Sequence, residues 1–486
     1  MDISQIIQTE ANSILSGNSI YTTYQPRWEY LYESYIGGEE YRLAGHLHRY
    51  QLENSGEYSQ RLQDTPLENH CRSVISVYTS FLFRESPVRD LGSLANSAGI
   101  EDFLRDCDHD GRSLDQFMKE CSTWSSVFGH VWAVVAKPDI GALTQADEMA
   151  AENRPYLNML TPLVVIDWNW ARLPSGKYKL DYFKYIEDIN GSVKVVKEWR
   201  PDYIVTYSIE SDDDVIIDQM VEENQLGYIP AVCIYNARST VRGVGLSDIT
   251  DIADAQRFIY NATSEAVESI KLDTHPSLVA TPSTNVGTGA GALIHIEETL
   301  DPGLKPYALE FSGASIESIY RAIDHTTGAI DKMANTGAVR ATESRVMSGV
   351  AMETEFQLLN ARLSEKADQM ELAEEAIWKI YAYYGNTEWN GEIDYPGSFN
   401  IRDTASEINQ LRTARETASD PKVIREIDRR LLEWMEVEGV DLEEFTAHTM
   451  YGPDGRSVTA MTLEQHLELA ARGYTHELPT EEDDDA

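Results

Sequence analysis

The chain has 486 residues, of which 42% are hydrophobic, and its 81 acidic and 40 basic side chains give a formal charge of −41. That apolar fraction supports a packed core, and at about 150 residues per domain the length allows about three domains or one elongated subunit of several regions. The acidic excess argues against general adhesion to nucleic acid or anionic membranes, so any contact with DNA is expected to be local.

The N-terminus, MDISQIIQTEANSILSG, lacks a basic segment followed by an apolar one, and no apolar run is long enough to span a bilayer. A soluble, unprocessed, intracellularly made protein is expected. Residues 1–128 read as mainly helical. Thr65-Pro66-Leu67-Glu68 predicts a helix start, with a capping box and proline at the first position, running to about Arg84. Between Ser113 and Phe128, Leu114, Phe117, Met118, Cys121 and Trp124 recur at three- and four-residue intervals, a buried stripe that Gly129 should end.

The period then shifts to strands: HVWAVVA (130–136), YLNML (156–160), LVVID (163–167), KYKLDYFKYIED and SVKVVKEW around Asn190-Gly191, IVTYSI (204–209) and IPAVCIYN (229–236). Asn-Gly tolerates the positive φ of a type I′ turn and predicts a hairpin there. A mixed sheet is expected, with ESDDD (210–214) as a solvated turn.

A helix is predicted over 246–271. At 100° per residue, Ile249, Ile252, Ala253, Ile259, Tyr260, Val267 and Ile270 share one face, and Asp251, Asp254, Glu265 and Glu268 the other. Residues 273–313 hold four prolines and VGTGAGA among short apolar runs (SLVAT, ALIHIEE, YALEF), which suggests a small β-rich insert. A second helix, 314–334, carries the stripe Ile316, Ile319, Tyr320, Ile323, Ile330 and Met333.

NTGAVRATESRVMSGVAME (335–353) then interrupts the helical pattern with small residues and two cations, Arg340 and Arg345. Beyond it, Met352, Phe356, Leu359, Leu363, Met370, Ile377 and Tyr384 predict a helix ending near Gly385, about 45 Å or longer at ~1.5 Å per residue. Shorter charged helices are expected over 403–473, one opening at Asp420-Pro421 and one at the capping box Thr462-Leu463-Glu464-Gln465 with a stop at Gly473. The tail HELPTEEDDDA has no core-forming pattern and should be disordered.

No constellation carries catalysis. DCDHDG matches an EF-hand loop at Asp106, Asp108, Asp110 and Gly111, but position 12 is Phe117 where a bidentate Glu is needed, so a turn of self-capping side chains is the better reading. VGTGAG (286–291) lacks the Lys-Ser/Thr of a phosphate loop. Cys71, Cys107, Cys121 and Cys233 have no paired spacing and fit free thiols in a reducing cytoplasm rather than disulfides or zinc ligands. No nucleophile, base and orienting group stand in a recognisable pattern, and no catalytic residue, metal or cofactor is expected.

The order helix, small β insert, helix, short loop, long helix, after an α/β half, resembles the portal protein of tailed bacteriophages. GHVWAVVA, the hairpin with NGSVKVVKEW, IPAVCIYN followed by GVGLSDITDIADAQRFIYNATSEAVES, and SGVAMETEFQLLNARLSEKADQMELAEE carry the likeness, over roughly 70–385. The resemblance implies an α+β, mainly helical, elongated subunit: wing, 1–245; first stem helix, 246–272; clip, 273–313; second stem helix, 314–334; tunnel loop, 335–345; long wing helix and wing strand, 346–402; helical crown, 403–475; acidic tail, 476–486.

It further implies a homo-oligomeric ring, usually of twelve subunits, at one capsid vertex of the virion, assembled in the host cytoplasm. Double-stranded DNA would pass through it during packaging and ejection. Terminase, head-to-tail adaptor, major capsid and scaffolding proteins would be its partners; no membrane partner and no enzymatic activity are implied. The tunnel loop would comprise Asn335, Thr336, Gly337, Ala338, Val339, Arg340, Ala341, Thr342, Glu343, Ser344 and Arg345. Arg340 and Arg345 would form positive collars in an acidic passage, or pair with Glu343 or another carboxylate. The acidic stem face, Asp251, Asp254, Glu265 and Glu268, would face the lumen or a subunit seam; a plain solvated surface is the other reading. A ring-forming neck adaptor without a packaging role and an acidic metal-dependent enzyme are the alternative functions.

Overall fold

The computed structural model describes residues 11–97, 99–137, 153–189, 191–210, 215–274, 277–279, 307–309, 313–340, 349–399, 411–415, 417–418, 421–434, 448–452, 456–460 and 463–475. The chain divides into two compact units, Met1–Phe399 and Asn400–Ala486. The fold is α+β, with more helix than strand. None of the described helices is long and apolar enough to cross a membrane.

In the first unit, helix α1 (Ser19–Ile36) opens where the Asn18 side chain accepts from the Tyr21 amide, and Gly37 closes it at φ 65° before α2 (Gly38–Leu43). α3 (Ser55–Asp64) carries a full capping box, Asn54 with Glu57. Thr65 does not open the next helix, as its sequence predicts; it closes α3, its amide donating to Arg61 O. A residue before proline is pushed out of the α region, which suits a helix end, and the following helix α4 (His70–Leu82) takes Asn69 as its cap instead.

Strand β1 (Val88–Asp90) and the short α5 (Ile100–Arg105) lead to α6 (Leu114–Phe128), whose Ser113–Gln116 capping box and Gly129 stop at φ 94° fit the predicted limits. Leu114, Phe117, Met118 and Cys121 are buried as the periodicity requires.

The strands that follow make two antiparallel sheets, not one mixed sheet. β2 (His130–Ala136) lies between β3 (Tyr156–Leu160) and β9 (Ala231–Tyr235). β4 (Val165–Arg172), β5 (Tyr178–Ile189), β6 (Val193–Trp199), β7 (Tyr203–Glu210) and β8 (Val215–Glu223) pair in chain order as a five-stranded meander. Short turns between successive strands permit only antiparallel pairing. Gly191, at φ 69°, lies in the predicted hairpin turn, and Ile189 faces Val193 across it. β8 has no counterpart among the predicted strands, and residues 211–214 of the acidic turn lie outside the described residues.

His130 is fully buried at the start of β2, packed against Trp28 and Trp132, and its Nδ1 accepts from the Gly245 amide at 3.3 Å. Burial lowers its pKa to about 3. A histidine held below its unfolded value of about 6.5 leaves stability intact above that pH and removes about 1.4 kcal/mol per unit as pH falls from there toward 3. Urea titrations at pH 7, 6 and 5 should show this loss, and His130→Phe should flatten the slope by up to one proton.

After the sheets come α7 (Thr250–Thr274), the ribbon strands β10 (Ser277–Val279) and β11 (Tyr307–Leu309), α8 (Ala314–Met333), one turn of helix α9 (Gly337–Arg340), α10 (Gly349–Tyr384), and β12 (Glu392–Asp394), which pairs with β1. α7 begins at Thr250 rather than Leu246 because 247–248 hold side-chain and backbone bonds of their own: Ser247 Oγ accepts from the Ile249 amide, and the Asp248 amide donates to Ser126 O. One hydrophobic core joins α1, α4, α6, both sheets, α7, α8 and α10.

The second unit contains α11 (Pro421–Trp434), a hairpin of β13 (His448–Tyr451) and β14 (Ser457–Ala460), and α12 (Leu463–Ala471), after which Gly473 turns at φ 84°. α11 opens at Pro421 and α12 ends before Gly473, as the sequence predicts; Asp420 and Thr462 lie outside the described residues, and the hairpin departs from the all-helical expectation. The tail 476–486 lies outside the described residues.

Candidate functional site

The antiparallel ladder Ser277↔Leu309 to Val279↔Tyr307 joins the end of α7 to the start of α8, so the two helices run back along one another. Ile249, Ile252, Ala253, Ile259, Tyr260, Ile323 and Ile330 are buried, as the two stripes predict. Ile270, Tyr320 and Met333, placed in the same stripes by periodicity, are 37%, 46% and 48% exposed. Contacts within one chain cover only part of this surface. The insert interior, 280–306, including VGTGAG and ALIHIEE, lies outside the described residues.

The four acidic residues that the sequence places on one face of α7 lie away from the core: Asp251, Asp254 and Glu265 are exposed and Glu268 is half-buried. They are not equivalent. Asp254 accepts from Tyr30 Oη and pairs with Arg257, both at 3.1 Å, while Glu268 pairs with Lys271 at 3.0 Å, which also reaches Asp64 at 2.6 Å. Burial and the Asp254 charge push the Tyr30 phenol above its usual range. Asp251 and Glu265 have no ion pair among the described residues.

Residues between Arg27 and Asp64, within the expected wing, clasp α7. Arg61 forms a fork to both Glu53 oxygens at 2.7 and 2.8 Å, donates to Ser264 Oγ at 3.0 Å and His48 O at 2.6 Å, and stacks over Tyr50 at 4.1 Å. The Glu53 bonds raise the Arg61 pKa and lower that of Glu53. Asn261 bonds His46 O and the His48 amide, and Gln256 bridges Ser34 O to the Cys71 amide. The periodicity of α7 assigns no partner to the polar residues Gln256, Asn261 and Ser264, because their partners lie 185 to 222 residues away, beyond any local pattern.

Below the clasp, the approach to α7 is fastened to α10. Buried Asp248 accepts from Arg362 and from Lys366, each at 2.6 Å, and Asn236 Nδ2 donates to it at 3.0 Å. Lys366, 3% exposed, also bonds Ser126 Oγ at 2.7 Å and Asn236 Oδ1. Burial raises and the two cations more than reverse the Asp248 pKa, which falls to about 2. Lys366 moves down, burial outweighing its partner. Arg362 also pairs with Glu365 at 2.5 Å, so two carboxylates balance two cations where α6, the end of β9, the approach to α7 and α10 meet.

The turn after α8 differs from the expected open loop. Tyr78 Oη donates to Ala334 O at 2.5 Å, Asn335 stands at φ 53°, Thr336 is buried, and Gly337–Arg340 form the single turn α9. Arg340, expected to project into a passage, turns inward: it pairs with Asp331 at 2.9 Å and donates to His70 Nδ1 at 2.9 Å, and is 13% exposed. A guanidinium this far from water needs a carboxylate, and Asp331 on the preceding helix supplies it. This is the ion-pair alternative, with Asp331 rather than Glu343 as partner. Burial and Arg340 together lower the His70 pKa. Ala341, Thr342, Glu343, Ser344 and Arg345 lie outside the described residues. Arg340→Met should leave Asp331 nearly buried and alone, lowering urea-unfolding stability by about 2–3 kcal/mol.

DCDHDG folds on itself: Asp106 accepts from the Gly111 amide, and Asp108 from the Asp110 amide and Arg112.

No protein-family model and no curated protein matches the chain. Among solved structures, it is similar to a chain of the virion of the native gene transfer agent particle, at 12% identity and TM-score 0.42, over 80% of this chain and 97% of that one. It is also similar to a chain in the neck of the empty particle computed with C6 symmetry (12%, TM-score 0.41, 81% and 99%). A third likeness is to a chain in the neck of the native particle computed with C12 symmetry (11%, TM-score 0.42, 81% and 98%).

Proposed function

We propose that this chain is the subunit of a portal ring, a closed head-to-tail assembly of twelve copies at one capsid vertex. DNA would pass through its centre, terminase would dock during packaging, and adaptor proteins afterwards. The observation that carries this reading is the succession α7, ribbon, α8, tight turn and α10, with the start of α7 locked to α10 through Asp248 and the α7 carboxylates outside the core. In a ring, Asp251 and Glu265 would lend the passage a negative field reaching about 8 Å, which repels phosphates and keeps DNA from sticking. The partly exposed Ile270, Tyr320 and Met333 are suited to contacts between adjacent helix pairs. With Arg340 bound to Asp331, Arg345 becomes the cation proposed to face DNA.

Negative-stain images and native mass spectrometry of the purified chain test this. The expected result is a ring with a channel ~30 to 40 Å wide, room for duplex DNA with side-chain clearance. A monomer at every salt concentration overturns it. A ring whose loss leaves packaging intact would make the chain a neck adaptor. Arg345→Glu should impair DNA packaging or retention in rings that still assemble; unchanged packaging removes the loop's role.

A further inference from the structure

Among the described residues, β8 and β9 each leave one edge without a strand partner, and the chemistry of these two edges is complementary. β8 is the last strand of the meander, and from Ile217 to Glu223 every side chain is exposed, so neither face of this stretch is covered. Ile217, Met220 and Val221 are 58%, 49% and 62% exposed, and Asp218, Glu222 and Glu223 stand among them. A long edge strand with bare apolar side chains is a template for pairing with another chain.

The other open edge belongs to β9, which has β2 on one side only. The Asn236 amide donates to Gly129 O and Pro230 O accepts from Val135, so the even-numbered residues from 230 to 236 point toward β2. By alternation, the amides and carbonyls of Ala231, Cys233 and Tyr235 point the opposite way. A cleft of about 540 Å³ lies there, between β9 and α10. It is lined by Arg238 and Arg242, two positive charges on a chain of net −41, by Lys379, which pairs with Glu375 at 2.8 Å, and by Leu372, which is 53% exposed. Arg238 and Arg242 are exposed and have no carboxylate within 4 Å among the described residues.

We propose that β8 of one copy adds as a strand to the open edge of β9 in the next copy, setting Asp218 and Glu222 against Arg238 and Arg242 and its apolar side chains against Leu372. This rests on the ring reading and gives it a specific contact. Trp170 of β4 lines the cleft, while β8 is four strand spacings from β4, roughly 19 Å at about 4.8 Å each. Strand and cleft therefore lie at opposite ends of the meander. Each copy offers one and receives into the other, a heterologous contact that propagates around a ring.

Charge reversal of the full chain tests it by native mass spectrometry. Asp218→Lys/Glu222→Lys and Arg238→Glu/Arg242→Glu should each raise the concentration for half-assembly about tenfold or more, because like charges then meet. Mixing the two variants should restore rings built from alternating copies, since every strand again meets a cleft of opposite sign. Circular dichroism establishes that each variant is folded. Independently, with the cleft's own Cys233 replaced by serine, Gln219→Cys and Leu372→Cys copies should be joined by a short thiol cross-linker only when mixed. Wild-type rings that neither reversal weakens, or that give no cross-link, overturn the strand contact and leave the ring standing. A wild-type chain that never assembles overturns both.

Discussion

Lys366→Met should unfold at markedly lower urea than the wild type, with about 3 kcal/mol or more lost. Three oxygens, from Asp248, Ser126 and Asn236, converge on an ammonium that is 3% exposed. Methionine fills the space but returns none of those bonds, and it leaves Asp248 with Arg362 as its remaining cation. Removing one member of a buried pair typically costs about 3–5 kcal/mol. Asp248→Asn combined with Lys366→Met should cost less than the two separate losses added together, since no charge is then left alone. Acid weakens the same joint from the other side. The Asp248 pKa is held at about 2, so the stability it contributes is complete above about pH 4 and is lost as pH falls toward 2. The His130 loss begins higher, at about pH 6.5, and overlaps this window only between about pH 4 and 3.

The second large effect is expected from Gly245→Ala. A Cβ at Gly245 would lie 1.8 Å from Gly129 O, 2.5 Å from Gly129 C and 3.1 Å from Ala237 O, all backbone. Side chains can swing aside; two crossing backbones cannot without shifting β2 against the segment that leads into α7. A loss of more than about 4 kcal/mol is expected, read as the absence of soluble folded protein or as a large shift in the urea midpoint. Gly45→Ala is the control. Gly45, unlike Gly245, has a positive φ, 82°, and nothing lies within 4 Å of the added atom, so only the backbone strain of about 1 kcal/mol applies.

These two sites show which parts of the molecule are readable in the sequence. α6, α8 and α10 are legible because each repeats apolar residues at three- and four-residue intervals, and the strands from 130 to 235 because their side chains alternate or run apolar. β8 escapes because VIIDQMVEE is exposed along most of its length and so never had to alternate. Thr65 misleads because threonine before proline serves a helix end as well as a helix start. The joint is invisible for another reason. Lys366 sits in SEKADQ, an ordinary charged helix segment, and only the fold brings it to Asp248, 118 positions away. Arg340 was visible as one of two cations in its loop, but its direction was not, because Asp331 lies on the helix before it and His70 some 270 residues earlier. The acidic residues of α7 share a non-core face that periodicity makes visible, whereas the clasp on the same helix required Arg61, Asn261 and Ser264 to find partners far along the chain.

The small ribbon between α7 and α8 has an evolutionary consequence. Val279 and Tyr307 are paired across it, so the 27 residues numbered 280–306 leave and re-enter the fold at neighbouring points about 5 Å apart. Such a segment works as an interchangeable cassette: doubling its length costs only about 0.6 kcal/mol in closure entropy, and nothing upstream or downstream must be rebuilt. A lineage could therefore exchange the chemistry carried at this position, including its charge, size and binding preference, faster than it could alter the helices that hold it.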